Sequence, residues 1–158
     1  MRILLDENVP RQLVDPLSWL LPLHVIDQVN QRFKGIKDEQ LYGKAKRKNY
    51  ELIISVDSNQ LYDEKICKAI QRSGLHAVFV ETGNSSLKSL AAAAGALIHS
   101  IRDIVVRLEK VDVQHVTIIP MLRGDPRYDF HDPRHSAPSP IWPRKQHGEH
   151  KPSRPPRK

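Results

Sequence analysis

The sequence predicts an α/β protein, a three-layer α/β/α sandwich around a mostly parallel sheet, and three observations carry that expectation. Short apolar runs alternate with longer amphipathic stretches through residues 1–122, the pattern of right-handed strand–helix–strand crossovers. The run Leu52-Ile-Ile-Ser-Val56 is continuous rather than alternating, as expected of a strand buried on both faces. Three of the runs end in an acid, Asp6, Asp57 and Glu81, at the end of the strand beyond which open parallel sheets hold their ligands.

Taken in order, Arg2-Ile-Leu-Leu-Asp6 is a short apolar strand that closes in the polar cluster Asp6-Glu7-Asn8, with Pro10 marking a helix start. A helix follows over Pro10–Leu20, in which Pro16 predicts a kink or a break. Leu23–Val29 is a second strand. Gly35 precedes a helix over Asp38–Lys48, with Leu41 and Ala45 facing inward. Asp38 and Glu39 open that helix and Lys44, Lys46, Arg47 and Lys48 close it, which the helix dipole favours at both ends. After the Leu52–Val56 strand, Tyr62–Arg72 is a helix with apolar Ile66, Ala69 and Ile70, stopped by Ser73-Gly74. His76–Val80 is the next strand. Ser86–Leu108 is a long helix with Leu87, Leu90, Ala94, Leu97, Ile101, Ile104 and Leu108 at helical spacing. Val111–Ile119 is a last strand whose alternation puts Val113, His115 or Val116, and Ile118 on one face.

The length of 158 residues suits one domain, read here as residues 1–122. From Gly124 onward prolines punctuate a polar, basic stretch that cannot bury enough apolar surface to order itself, so 123–158 reads as a disordered tail. Of the net charge of +7, the tail supplies most, with nine Lys and Arg against four Asp and Glu. The domain is therefore only weakly basic, and any polyanion contact on it must be local. The tail's basic residues Arg144, Lys145, Lys151, Arg154, Arg157 and Lys158 fit a loose, salt-dependent polyanion contact. Its paired histidines, His131 with His135 and His147 with His150, lie among prolines that forbid the helix such chelation needs. A single cysteine, Cys67, excludes an internal disulfide. It lies in an amphipathic stretch, where a buried inert thiol is expected. No signal peptide or apolar run of membrane-spanning length is read from the sequence, so the expected location is the cytoplasm, with no membrane partner.

The acids carry the chemistry. If Asp6, Asp57 and Glu81 end strands and Asp38 opens a helix at the same sheet edge, four carboxylates converge there. Such a cluster repels itself unless a cation neutralises it, and oxygen-only ligands suit Mg²⁺ or Mn²⁺. Asp6, Asp38 and Asp57 are the expected catalytic and metal-binding residues, with Glu81 a further ligand. Glu7 and Glu39 adjoin better-placed acids and point away from them. Asn8 and Asn59 are neutral donors that can orient a carboxylate or a metal-bound water. Arg11, Lys34, Lys37 and Lys44, with Arg32, flank the acids and can hold phosphates. Each acid also has a plainer role open to it: helix capping for Asp6, a turn for Asp57 and dipole compensation for Asp38.

At these residues the chain resembles the PIN-like superfamily, in particular small bacterial PIN-like proteins catalogued as a domain of unknown function. The resemblance rests on ILLDENVP, on GIKDEQLYGKAKRKNYELIISVDSNQLYDEK and on AVFVETGNSSLKSL, and it spans about residues 1–110. It implies a PIN-like sandwich with an acidic Mg²⁺ or Mn²⁺ site that cleaves single-stranded RNA, as the toxins of toxin–antitoxin pairs do. Asp6 matches the first-strand aspartate, Asp38 the helix-start acid and Asp57 the aspartate ending the later strand. Asn59 stands where many relatives carry a further acid, which leaves one metal or two open. A cognate antitoxin and a homodimer are further implications of the likeness. Two other readings compete: a degenerate PIN-like module that binds RNA or protein without cutting, and a phosphoreceiver-like domain. The receiver would use Asp6-Glu7, Asp57 and Thr82, but Ile118-Ile119-Pro120 offers no lysine where that chemistry needs one.

Overall fold

The computed structural model describes residues 1–29, 33, 36–83 and 86–121, Asp38 by its backbone alone. The expectations for the tail and for Arg32, Lys34 and Gly35 lie outside the described residues. Five strands form the sheet: β1 (Arg2–Leu5), β2 (Val25–Gln28), β3 (Leu52–Ser55), β4 (His76–Val80) and β5 (Val116–Ile119). All four pairings are parallel, and the order across the sheet is β2-β1-β3-β4-β5. The described helices are α1 (Val14–Leu20), α2 (Asp38–Arg47), α3 (Glu64–Ser73) and α4 (Leu87–Leu108).

Period-two alternation along the strands divides the core between two faces. Ile3, Leu5, Leu52, Ile54, Val78 and Val80 face α1 and α4, where Leu17, Ala93, Leu97, Ile101 and Val105 cover them. Leu4, Ile53, Ala77 and Phe79 face the other way, under Leu41, Tyr42 and Ala45 of α2 and Ile66 and Ile70 of α3. The mixed α/β fold with helices on both faces of a parallel sheet is as expected.

Four details differ from the sequence reading. Pro16 neither kinks nor breaks its helix: a 3₁₀ turn at Arg11–Leu13 precedes α1, so Pro16 falls in the first turn, where no N–H is needed. The stretch expected to open α3 at Tyr62 begins instead as a 3₁₀ turn, Ser58–Tyr62, and α3 starts after Asp63, whose carboxylate caps it by accepting the N–H groups of Lys65 and Ile66. The last strand has the opposite phase: Ile119 is buried, while Val113, Val116 and Ile118 are exposed. Finally, α4 is 22 residues long with mean hydropathy 1.4 in its most apolar window, long and apolar enough by length and composition to cross a membrane. In the fold it lays Ala93, Ala96, Leu97, Ile101, Val105 and Leu108 on the sheet and exposes Arg102, Asp103 and Arg107.

Candidate active site at the carboxyl edge of the sheet

In the order β2-β1-β3-β4-β5 the chain leaves β1 toward one side and returns to β3 on the other. The crevice beyond β1 and β3 is therefore the topological switch point, where open α/β sheets bind ligands. Leu5 is in register with Ile54, and the Asp6 N–H continues that ladder to the Ile54 carbonyl at 2.8 Å, which brings Asp6 level with Ser55.

Asp6 is 1% exposed and its carboxylate is well supplied with donors. Oδ2 accepts from the Ser55 hydroxyl at 2.8 Å, Gln60 Nε2 at 3.0 Å and Asn8 Nδ2 at 3.5 Å, and Oδ1 accepts the Glu7 N–H at 2.8 Å. Gln60 is itself buried, and its Oε1 accepts the Tyr42 hydroxyl at 3.0 Å. Asp6 thus looks inward to the α2 and α3 layer, whereas an open metal ligand was expected. Most of its oxygen lone pairs are already engaged.

Asp57 is the outward partner. Its N–H donates to Ser55 Oγ at 3.1 Å, so one hydroxyl touches Asp6 and the Asp57 backbone together. Its Oδ1 accepts the Asn59 N–H at 3.1 Å in an Asx turn, and its side chain stays partly exposed. Asp57 lines an open cavity of about 440 Å³ with Asn8, Val56, Asn59, Thr82, Gly83 and Leu90. The Thr82 hydroxyl leans on the Val56 carbonyl at 3.5 Å. Of the plainer roles foreseen for these aspartates, the turn at Asp57 is real and leaves its second oxygen open, whereas Asp6 caps no helix: the 3₁₀ turn and α1 that follow it have no side-chain cap, and its backbone partner is the adjacent Glu7 N–H.

The other expected residues scatter. Glu81 follows Val80, which faces α4; its Oε2 accepts the Met121 N–H at 3.4 Å, and it is not among the residues that line the cavity. Asp38 opens α2 one turn before Tyr42. Arg11 is exposed on the 3₁₀ turn before α1, Lys37 at the start of α2 and Lys44 along it, and none of the three is among the residues that line the cavity. Glu7 and Glu39 are exposed, and Glu39 borders a different groove. Among the described residues no group of three or more His, Cys, Asp or Glu could hold a metal ion.

Ser55, Gln60 and Tyr42 were missed. Ser55 left one trace, as the single polar residue within an otherwise apolar run. Gln28 was missed as well: it is 2% exposed at the end of β2, and its Nε2 donates to the Val9 carbonyl at 2.7 Å, pinning the loop that follows Asp6. No protein-family model, curated protein or solved structure matches the chain.

Proposed function

We propose that the protein is a PIN-like, Mg²⁺- or Mn²⁺-dependent endoribonuclease that hydrolyses phosphodiester bonds of single-stranded RNA, as the toxin of a toxin–antitoxin pair would. The observation that carries this reading is the pair Asp6 and Asp57, joined through the Ser55 hydroxyl at the switch point, with Asp57 facing a cavity.

The donor set fits a hard ion in kind, because the polar oxygens at the cavity come from Asp57, Asn8, Asn59 and Thr82. It is sparse in number, which suits Mg²⁺, an ion that keeps several waters and rests on one or two carboxylates plus phosphate. Such an ion, when bound, polarises the phosphoryl group and lowers the pKa of a water. Asp57 is the carboxylate that meets it, and Asp38 is the third acid that this reading enlists. Asp6 acts from behind, holding Ser55 and the loop through Asn8 in place. Glu81 has no part in it.

The two aspartates separate fold from function. Asp57→Asn keeps an oxygen for the Asn59 N–H, so the variant folds and loses cleavage. Asp6→Asn turns an NH₂ group toward donors and loses both. The test is Mn²⁺-dependent cleavage of a labelled single-stranded RNA by the full chain, with and without EDTA, in the wild type and Asp57→Asn. Cleavage that survives either EDTA or the substitution would sink the nuclease reading.

One observation favours a second reading. The strand order found here is also that of flavodoxin-like receiver folds, and Asp57 and Thr82 border one cavity as phosphoacceptor and hydroxyl would. Against it, β5 runs out in Ile119-Pro120-Met121, with no lysine. Phosphorylation of Asp57 by a small phosphodonor, without RNA cleavage, would decide for the receiver.

A further inference from the structure

We infer that the groove between α2 and α3 is a track for the RNA phosphodiester backbone, an inference that rests on the nuclease reading and extends it to a second surface. The groove has a volume of about 360 Å³ and is lined by Glu39, Gly43, Lys46, Ala69, Arg72 and Ser73. Glu39, Gly43 and Lys46 fall on one face of α2, and Ala69, Arg72 and Ser73 on one face of α3. Gly43 and Ala69 leave the floor low, while Lys46 and Arg72 rise from opposite walls.

The charges there are not spent on each other or on neighbours. On the outer face of α3, Lys68 is paired with Glu64 one turn away, as solvated helix faces commonly are. Lys46 and Arg72 form no ion pair among the described residues, and the Arg47 guanidinium adds a third cation, with Nη1 4.0 Å from where a Gly43 side chain would begin. Glu39 is the single acid in the lining. Three cations with no ion pair among the described residues, set around a low floor, complement a chain of phosphates.

The direction also fits. Helices that cross over between parallel strands start at the carboxyl edge of the sheet, so α2 and α3 both begin on the side of Asp6 and Asp57 and run away from it. Glu39 and Lys46 are seven residues apart, about 10 Å along the helix. A strand entering at the acidic edge would pass down this groove toward Lys46 and Arg72.

The test is fluorescence anisotropy of a labelled oligouridylate with the full chain in EDTA, so that neither metal nor cleavage takes part. Lys46→Glu/Arg72→Glu is expected to weaken binding about tenfold and to lower the slope of log K against log salt by about 1.4, two phosphate contacts on a single strand. Gly43→Gln changes no charge and fills the floor, where an added Cβ meets nothing closer than the Arg47 guanidinium. It should weaken binding as well. Arg102→Glu/Arg107→Glu, the same charge change on the exposed side of α4, should bind as the wild type does. The track is overturned by wild-type binding in the Lys46/Arg72 variant, by an equal loss in the α4 variant, or by no binding at all. Binding that follows this pattern in a protein that cuts nothing would support the track and remove the nuclease alone.

Discussion

A carboxylate taken out of water needs donors on most of its lone pairs, and at Asp6 four groups supply them. Gln60 is the most dependent of these, because it is buried between Asp6 and the Tyr42 hydroxyl. Replacing it by Leu removes a donor to a buried carboxylate and the oxygen that accepts the Tyr42 hydroxyl, so Gln60→Leu should destabilise the fold by about 2–3 kcal/mol. Asp57→Asn, on a partly exposed side chain, should change stability by less than about 0.5 kcal/mol. Urea unfolding of both variants checks the contrast, and equal losses would contradict it. The acids themselves were legible, since an Asp that closes an apolar run announces a strand end. Their partners were not, because Ser55 and Gln60 lie 49 and 54 residues from Asp6 in sequence and meet it only through the register of β1 on β3.

At the scale of elements, the strands and helices were legible where periodicity was strong and less so where one residue decides. Val111–Ile119 reads as alternating, yet edge strand β5 keeps only its last four residues and buries Ile119, because its phase is set by pairing with β4, Val80 opposite Ile119. Val116 and Ile118 are left on the open side. Pro16 shows the converse. A proline inside a helix-forming stretch predicts disruption, but a preceding 3₁₀ turn shifts the helix start and makes its position compatible. From this follows a sign. If Pro16 kinked α1, Pro16→Ala would relieve strain and stabilise the protein. In the first turn the proline restricts the unfolded chain instead, so Pro16→Ala should destabilise by about 0.4–1 kcal/mol, read as a lower denaturant midpoint.

For the whole molecule, alternation of strand and helix fixes a parallel sheet and right-handed crossovers, but it says nothing of which strand lies beside which. The switch point between β1 and β3, and with it the meeting of Asp6 with Asp57, comes from tertiary pairing alone. The opposite edge of the sheet makes the fold's stability depend on pH. There the His115 N–H donates to His76 Nδ1 at 3.1 Å, a bond that ties the approach to β5 onto β4 and requires that nitrogen to keep its lone pair. Burial first, then His115, pushes the His76 pKa below its ordinary 6.5, with Lys46 acting the same way and Glu51 opposing. A histidine lowered on folding binds its proton more readily in the unfolded chain. Its contribution is therefore intact above about pH 6.5 and is lost as pH falls from there to the folded-state value. The urea midpoint of the wild type should drop between about pH 7.5 and pH 5.5, and His76→Gln, which cannot titrate, should flatten that part of the fall. Equal pH dependence in the two proteins would show that protons act elsewhere and that the bond to His115 carries none of the effect.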